Sequence, residues 1–549
     1  MFKNKIKFLT APLAVILLSG FVQSDNDVYF KISKSIDIFG KIYKEINLNY
    51  VDNVDPEEFM LSGVKGMLES LDPYTMYIDE NLQKDVDLMT IGKYGGIGAT
   101  VGLKNDEVIV VDLLEGYSAQ RQGIRIGDVI THVNDVEINK SNYDELNKYM
   151  QGVAGTTVKM NIKRDGYEGD LIFNLIREQI EVRNLTYHGF FPKESNTVYL
   201  KLSGFGRSAG KEIEVALTEL KKEKEVKEII LDLRGNPGGL LDAAIDVTEK
   251  FINKGQLIVS VIGRDTTDVT EYYSEEEPVA GKSKLVVLID GGTASAAEIV
   301  TGAVQDHDRG VVIGTPSFGK GLVQTVVPLS YNTSLKITTG KYYTPSGRCI
   351  QKIDYAKDSR IIKPIINVTK ETYHTDNKRT VFSAGGLYPD SLVKNSSESN
   401  QVKDLLAKGM FFQFATNYSN THPDVNLENN SHEDLFSNFI KYLEEQKYEY
   451  QSQTKRLLKQ LQLAAEREEI INNLKTDISS LNLKTEEVLS QQLKTHKDEI
   501  VSEIENELAT RISGREGRIK ASINYDKQFK TSLSILRDDK LYSSLLKSN

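Results

Sequence analysis

The sequence predicts a multidomain protein, part β and part α/β, with helical segments at both ends. Three observations predict it. From Thr197 onward, apolar runs of strand length alternate with stretches of helical periodicity, the signature of an α/β layer. Ahead of that region, glycine-rich turns separate short alternating stretches carrying Val101, Leu103, Val108 and Val110, the signature of a small β-domain. Beyond roughly Ser399 the chain becomes charged, with broken heptad-like stripes. At 549 residues it is long enough for three or more domains. An apolar content of 39% and a charged content of 27% are those of a globular protein with sizeable cores. The net charge of −10 argues against a general nucleic-acid binder. The single cysteine, Cys349, excludes an intrachain disulfide and a cysteine metal site.

Residues 1–24 start with Lys3, Lys5 and Lys7 and continue into an apolar run over residues 8–22. They read as a signal peptide, so the expectation is export to the periplasm or cell envelope, with a membrane tether if the segment stays uncleaved. No cysteine follows, which excludes a lipoprotein anchor. Residues 25–85 read as helical. Tyr29, Ile32, Ile36, Phe39 and Tyr43 share one helical face, as do Phe59, Leu61, Val64, Met67 and Leu68. The region closes on Leu71-Asp72-Pro73-Tyr74-Thr75.

Residues 86–170 carry the β-domain. Tyr94-Gly95-Gly96-Ile97-Gly98-Ala99 places consecutive backbone N–H groups in a glycine loop. Gly96, Ile97 and Gly98 are candidates to receive a peptide's terminal carboxylate, while the adjoining strand edge adds the peptide as a β-strand. Ser118-Ala119-Gln120-Arg121-Gln122-Gly123-Ile124, then Gly127-Asp128-Val129-Ile130 and Val133-Asn134, resemble the pattern of a PDZ domain; Ser118 stands where proline is usual and Asp135 where glycine is. The glycine spacing misses the dinucleotide fingerprint. Leu146, Tyr149 and Met150 fall on a helix that flanks the groove or packs into the core.

Residues 171–395 form the α/β core. A buried strand ending at Leu233 runs into Arg234-Gly235-Asn236-Pro237-Gly238-Gly239, a turn whose glycines let backbone N–H groups approach a ligand closely. A second apolar run, residues 285–289, leads into Asp290-Gly291-Gly292-Thr293-Ala294-Ser295 and a helical stretch over residues 294–305. Ser295 is therefore expected in the first turn of that helix, where unpaired N–H groups and the dipole stabilise an oxyanion. A serine nucleophile needs a base. His307, twelve residues along the helix, would lie about 18 Å away. Lys320 follows a short apolar run (Val311, Val312, Ile313) that can return as a neighbouring strand, and an apolar pocket can make a lysine a base. Gln324 is placed to hydrogen-bond and orient it. The segment around Lys320 also nearly matches a phosphate-binding loop, but Gly321 replaces the hydroxyl residue and the following stretch reads as strand. Cys349 reads as a buried core thiol.

Thr293-Ala294-Ser295-Ala296-Ala297-Glu298-Ile299-Val300, followed at this spacing by Phe318-Gly319-Lys320-Gly321-Leu322-Val323-Gln324, resembles the C-terminal processing peptidases, or tail-specific proteases. The resemblance implies a crotonase-like ββα peptidase core, Ser295 as nucleophile, Lys320 as base and Gln324 as its support. The family often has a second serine where this chain has Ala297. Asp232-Leu233-Arg234 with Gly238-Gly239 is similar to the family's second signature, which implies an oxyanion hole of Gly238 with Ala296; Gly239 is the alternative glycine. Residues 71–75, 340–348 and 386–390 resemble further family segments, so the likeness spans about residues 27–390.

The extension over residues 396–549 carries no family motif. Leu457 and Leu461, then Ile471, Leu474, Ile478 and Leu481, then Ile500, Ile504 and Leu508 mark amphipathic helices that pack on the core or on a partner, with a break at Gly514. The expectation is an exported serine endopeptidase that recognises accessible C-termini of protein or peptide substrates, with no metal or organic cofactor implied. Its helical extension is a candidate surface for a homo-oligomer or an adaptor. A non-catalytic peptide-binding scaffold is the alternative.

Overall fold

The computed structural model describes residues 23–548, except 81, 83–91, 105, 356–370, 384, 396–398, 424, 426 and 428–430. The expected signal peptide thus lies outside the described residues but for its last two positions. No described helix is long and apolar enough to cross a membrane. The chain divides into two units, one drawn from residues 1–80, 324–338 and 355–364 and the other from the rest.

The first unit begins with two helices, Gln23–Asn49 and Pro56–Glu69. Pro56 can open the second helix because its missing N–H has no intrahelical partner there, and Asp55 caps it by accepting from the Glu57 and Glu58 amides. Tyr43 and Phe59, both on the faces marked by periodicity, stack with ring centroids 5.8 Å apart. The Leu71-Asp72-Pro73-Tyr74-Thr75 segment is an Asx-type turn: Asp72 Oδ1 accepts from the Tyr74 and Thr75 amides, each at 2.9 Å. Thr75 is buried, and its hydroxyl accepts from the Thr338 amide at 3.3 Å.

The second unit is built on a six-stranded sheet in simple sequential order: β1 (Leu185–Phe190), β2 (Thr197–Leu202), β3 (Glu228–Asp232), β4 (Lys284–Ile289), β5 (Val311–Gly314) and β6 (Ser391–Leu392). β1 is antiparallel to β2 and every other pairing is parallel. The apolar runs of β2 to β5 are continuous because both faces are covered. Val198, Leu200, Ile229, Leu231, Leu285, Val287 and Ile289 face α1 (Ala209–Glu223), α2 (Leu241–Glu249) and α3 (Ala296–Asp306). The alternate residues, Tyr199, Ile230, Val286, Leu288, Val311 and Ile313, face the C-terminal helices.

Those helices are α4 (Lys497–Ile523), α5 (Lys527–Arg537) and α6 (Asp539–Leu545). α4 departs from helical geometry at Ser513 and Gly514, the predicted break. Its first part buries Ile500, Ile504 and Leu508 among the helices Asn400–Ala407, Met410–Thr421 and His432–Glu445. Past the kink, Ile523 and then Phe529, Ile535, Leu536 and Tyr542 close over the sheet. The extension is therefore half of the sheet's covering, not an appendage.

The β-domain packs Val108, Val110, Ile130, Val133, Val158, Met160 and Leu175 into its own core. Gly96, Ile97, Gly98 and the first three residues of the edge strand Ala99–Lys104 line one side of a cavity of about 340 Å³, with Tyr143, Leu146 and Met150 opposite. Leu146 and Met150 serve groove and core together, while Tyr149 packs on the core only. The helical extension touches this domain too. Lys104 Nζ donates to the Gly409 carbonyl at 3.0 Å and lies 4.0 Å from the Phe412 ring centre; Arg515 pairs with Asp112 at 2.5 Å.

Two outcomes follow from this packing. Phe529 is 2% exposed, with its ring 5.4 Å from those of Tyr199 and Phe191. Phe529→Ala should lower the unfolding free energy by about 3–5 kcal/mol in a denaturant titration. Burial pushes the Lys104 ammonium down to about 8. A cation depressed in the fold destabilises the folded state at neutral pH, and that penalty fades as pH rises from about 8 to its unfolded value of about 10.4. Wild type should therefore gain thermal stability relative to Lys104→Met between pH 7 and pH 10; a constant difference would contradict this.

Candidate active site

β4 ends at Ile289, and the chain turns sharply before α3. The turn is tied down at both sides. Asp290 Oδ1 accepts from the Gly235 and Gly292 amides at 2.9 Å, and the buried Thr293 hydroxyl donates to the Leu233 carbonyl at 2.9 Å. Ser295 emerges with φ 56° and ψ −117°, a conformation that side chains disfavour by about 1–3 kcal/mol. It stands one residue ahead of α3, not inside the first turn as the periodicity suggested, because helical geometry starts only at Ala296. This is a strand–turn–helix elbow, the geometry that can present a side chain at the positive end of a helix.

Glu298 holds that elbow, and it was absent from the sequence-based candidates. Its carboxylate is fully buried. Oε2 accepts from the Ser295 amide at 2.8 Å and from the Lys320 amide at 2.9 Å. Oε1 accepts from the Gly319 amide at 2.8 Å and from the Ser317 hydroxyl at 2.5 Å. Two amides sharing one oxygen lie within about 6 Å of each other, so the Ser295 and Lys320 backbones are neighbours. The buried Tyr342 hydroxyl repeats the bridge on the carbonyl side, donating to Lys320 O and, at 3.2 Å, to Ser295 O. Burial pushes the Glu298 carboxyl above its ordinary range, while the four donors pull it back. A glutamate three residues after a serine at a helix start was the available signal, since it matches the capping-box spacing.

Lys320 is half-buried between two buried glycines. A Cβ on Gly319, whose φ is +87°, would stand 2.7 Å from Lys352 Cβ and 2.9 Å from the Gly386 amide nitrogen. The Gly386-Leu387 segment closes on this loop, its Leu387 amide donating to the Ser317 hydroxyl at 2.7 Å. The strand after Gly321, Leu322–Pro328, is not the helix that a phosphate-binding loop requires. Gln324 lies in the first unit, where its amide donates to the Thr338 hydroxyl at 3.3 Å. His307 is engaged elsewhere, with Nδ1 2.9 Å from Asp376 and Nε2 2.7 Å from the Leu257 carbonyl. Cys349 is buried and its thiol pushed up by that burial, which suits a core thiol.

The Arg234–Gly239 turn meets the elbow directly. A Cβ on Gly238, φ +96°, would lie 2.7 Å from Ala294 O, 2.9 Å from Ala296 N and 2.9 Å from Ser295 Cβ. Only glycine permits that approach. Asn236 shapes the turn, accepting from the Gly238 amide with its side chain at 2.9 Å and from the Ala294 amide with its carbonyl at 3.0 Å. Ala296 and Gly238 are thus brought together, and Gly239 adjoins them against Phe205.

A PDZ-type groove in one domain and a strained serine elbow in an α/β layer define a PDZ-containing serine peptidase. Comparison with known proteins places the chain more closely. Residues 196–361 match Peptidase family S41, residues 95–174 a PDZ domain and residues 19–82 the activating protease CtpB N-terminal domain. The carboxy-terminal-processing protease of Bartonella bacilliformis is 36% identical over 65% of this chain and 81% of its own. The carboxy-terminal processing protease CtpA of Bacillus subtilis is 32% identical, covering 63% and 75%. A probable CtpA-like serine protease of Staphylococcus aureus is 30% identical, covering 67% and 72%. The chain belongs to the C-terminal processing peptidases. Residues 402–536 also match the C-terminal helical domain of a probable PDZ-protease, which corrects the expectation that the extension carries no family signature.

Glu298→Ala would leave four donors without their acceptor. It should lower the unfolding free energy by about 3–5 kcal/mol, the range for breaking a buried charged network, and turnover should fall with it. Urea titration and a cleavage assay read both. Unchanged unfolding would show that the carboxylate does not hold the elbow.

Proposed function

We propose that this chain is an exported endopeptidase that captures C-terminal tails of protein substrates in its PDZ groove and cleaves them with a Ser295–Lys320 dyad. The observation that carries this reading is the buried Glu298 carboxylate shared by the Ser295 and Lys320 amides. The dyad residues come from opposite ends of a 25-residue excursion, and one oxygen joins their backbones. Ser295 Oγ attacks the scissile carbonyl while the Lys320 amine, in its neutral form, takes the proton. The Ala296 amide at the start of α3 and the Gly238 amide then hold the oxyanion. Gly238 first has to release Asn236 Oδ1, so Gly239 is the alternative donor. The lysine returns its proton to the leaving amine, and water hydrolyses the acyl-enzyme. Gln324, four residues after Lys320, is assigned as its support on the family resemblance.

The groove geometry supports tail recognition. Gly96, Ile97 and Gly98 open onto a strand edge that can pair with an extended peptide, beside the apolar walls of Ile97, Leu146 and Met150. Export rests on the apolar run over residues 8–22 after its lysines. No cofactor enters the reaction as written. An oligomer or adaptor binds through the extension, where Leu457, Leu461 and Leu483 are exposed on the helices Gln453–Arg467 and Ile471–Thr495.

Cleavage of a reporter with an unstructured C-terminal tail, read by intact mass, tests the dyad. Ser295→Ala and Lys320→Ala should each abolish turnover, and Gln324→Ala should reduce it. Turnover retained by either of the first two would refute the dyad. Gly98→Ala, whose Cβ would sit 2.4 Å from Tyr117 Cβ, should raise KM for the tailed reporter and leave a tail-less peptide unaffected.

A further inference from the structure

Arg234 opens the turn that meets Ser295, and it is held from two sides. Within its own segment, Nε donates to Asp232 Oδ1 at 2.9 Å and Nη2 to Asp232 Oδ2 at 2.5 Å. From the other side, Nη1 pairs with Asp526 Oδ2 at 2.5 Å and donates to Gln528 Oε1 at 2.9 Å. Asp526 and Gln528 lie at the start of α5, in the C-terminal extension. The same helix turn presents Phe529 edge-on to Tyr199, whose hydroxyl donates to Asp232 Oδ2 at 2.6 Å.

The charges explain why a second carboxylate is there. Asp232 is buried and shared by two cations, Arg234 and, at 3.1 Å, Lys201. Burial alone would raise its carboxyl, but Arg234 and Lys201 hold it well below the usual carboxylate range. Two cations against one anion leave a largely buried cluster with surplus positive charge, and an uncompensated buried charge is strongly unfavourable. Asp526 balances it. Both Arg234 ends are then fixed, since Lys201 also donates to the Arg234 carbonyl at 2.7 Å. Four residues further on, Gly238 lies against Ser295 and Ala296.

We infer that Asp526 is a positioning residue for peptide hydrolysis: from the C-terminal extension it anchors Arg234 and so fixes the Arg234–Gly239 turn against the Ser295 elbow. The inference rests on reading that turn as half of the oxyanion hole. It makes the extension part of the catalytic apparatus through a single ion pair, and anything that lifts the start of α5 off Arg234 slackens the hole.

Asp526 also caps α5, accepting from the Gln528 and Phe529 amides at 2.8 and 3.1 Å, so the test must separate capping from pairing. Asparagine and serine both keep a capping oxygen. Asp526→Asn removes the charge, Asp526→Ser removes the reach to Arg234, and Asp526→Glu retains the charge. The full-length variants are assayed on the tailed reporter at a temperature where circular dichroism shows each to be folded. The Asn and Ser variants should lose roughly 10- to 100-fold in kcat with KM unchanged, and the Glu variant should recover part of the loss. Unchanged kcat in both Asn and Ser variants, with Ser295→Ala inactive, overturns the inference and leaves the site reading standing. Loss of activity in proportion to the unfolded fraction overturns it as well. An active Ser295→Ala would instead remove the site reading, and this inference with it.

Discussion

One buried carboxylate sets the geometry on which the rest of the site depends. Glu298 has no solvent and four donors, and two of them are the backbone amides of Ser295 and Lys320. A charge taken out of water must be met by hydrogen bonds from every side, so its neighbours have little freedom to shift. The strained Ser295 and the glycine-flanked Lys320 loop both give backbone amides to that group. Tyr342 closes the same pair of segments from the carbonyl side, which explains a tyrosine buried at the foot of the site.

The elbow also needs something rigid to press against. Gly238 supplies it, coming so near Ser295 Cβ that no larger residue fits. The turn carrying Gly238 starts at Arg234, and the sheet strand that feeds it is packed on both faces. α1 to α3 cover one face and the helical extension covers the other. The peptidase core is therefore incomplete without the last part of the chain. Removal of the chain from Asp526 onward would expose Tyr199, Ile230, Val286 and Leu288 and would leave Arg234 and Lys201 sharing Asp232 alone.

Much of this was legible in the sequence. The alternation of apolar strands and helices gave the sheet, and the glycine motifs marked the turns that approach other backbone closely. Gly514 marked the kink in the long helix. Three things were not legible. Glu298 was not singled out, because spacing shows a helix cap but not that the helix end is sealed from solvent. Ser295 was expected inside the helix, since periodicity does not resolve where helical dihedrals begin. The extension's role was left between core and partner, because an amphipathic stripe reveals that a face is buried and not what buries it.

By itself the sequence determined the candidate residue types, their spacing, and the order of elements that bear them. Those follow from local properties: periodicity, turn preference and the reactivity of serine, lysine and glycine. Tertiary structure alone decided that Glu298 joins two segments 22 residues apart. It alone brought Asp526 to Arg234 across more than half of the chain's length. Buried charge forces such choices. A carboxylate without water must find its donors wherever the fold delivers them, and a pattern read along one chain does not contain that distance.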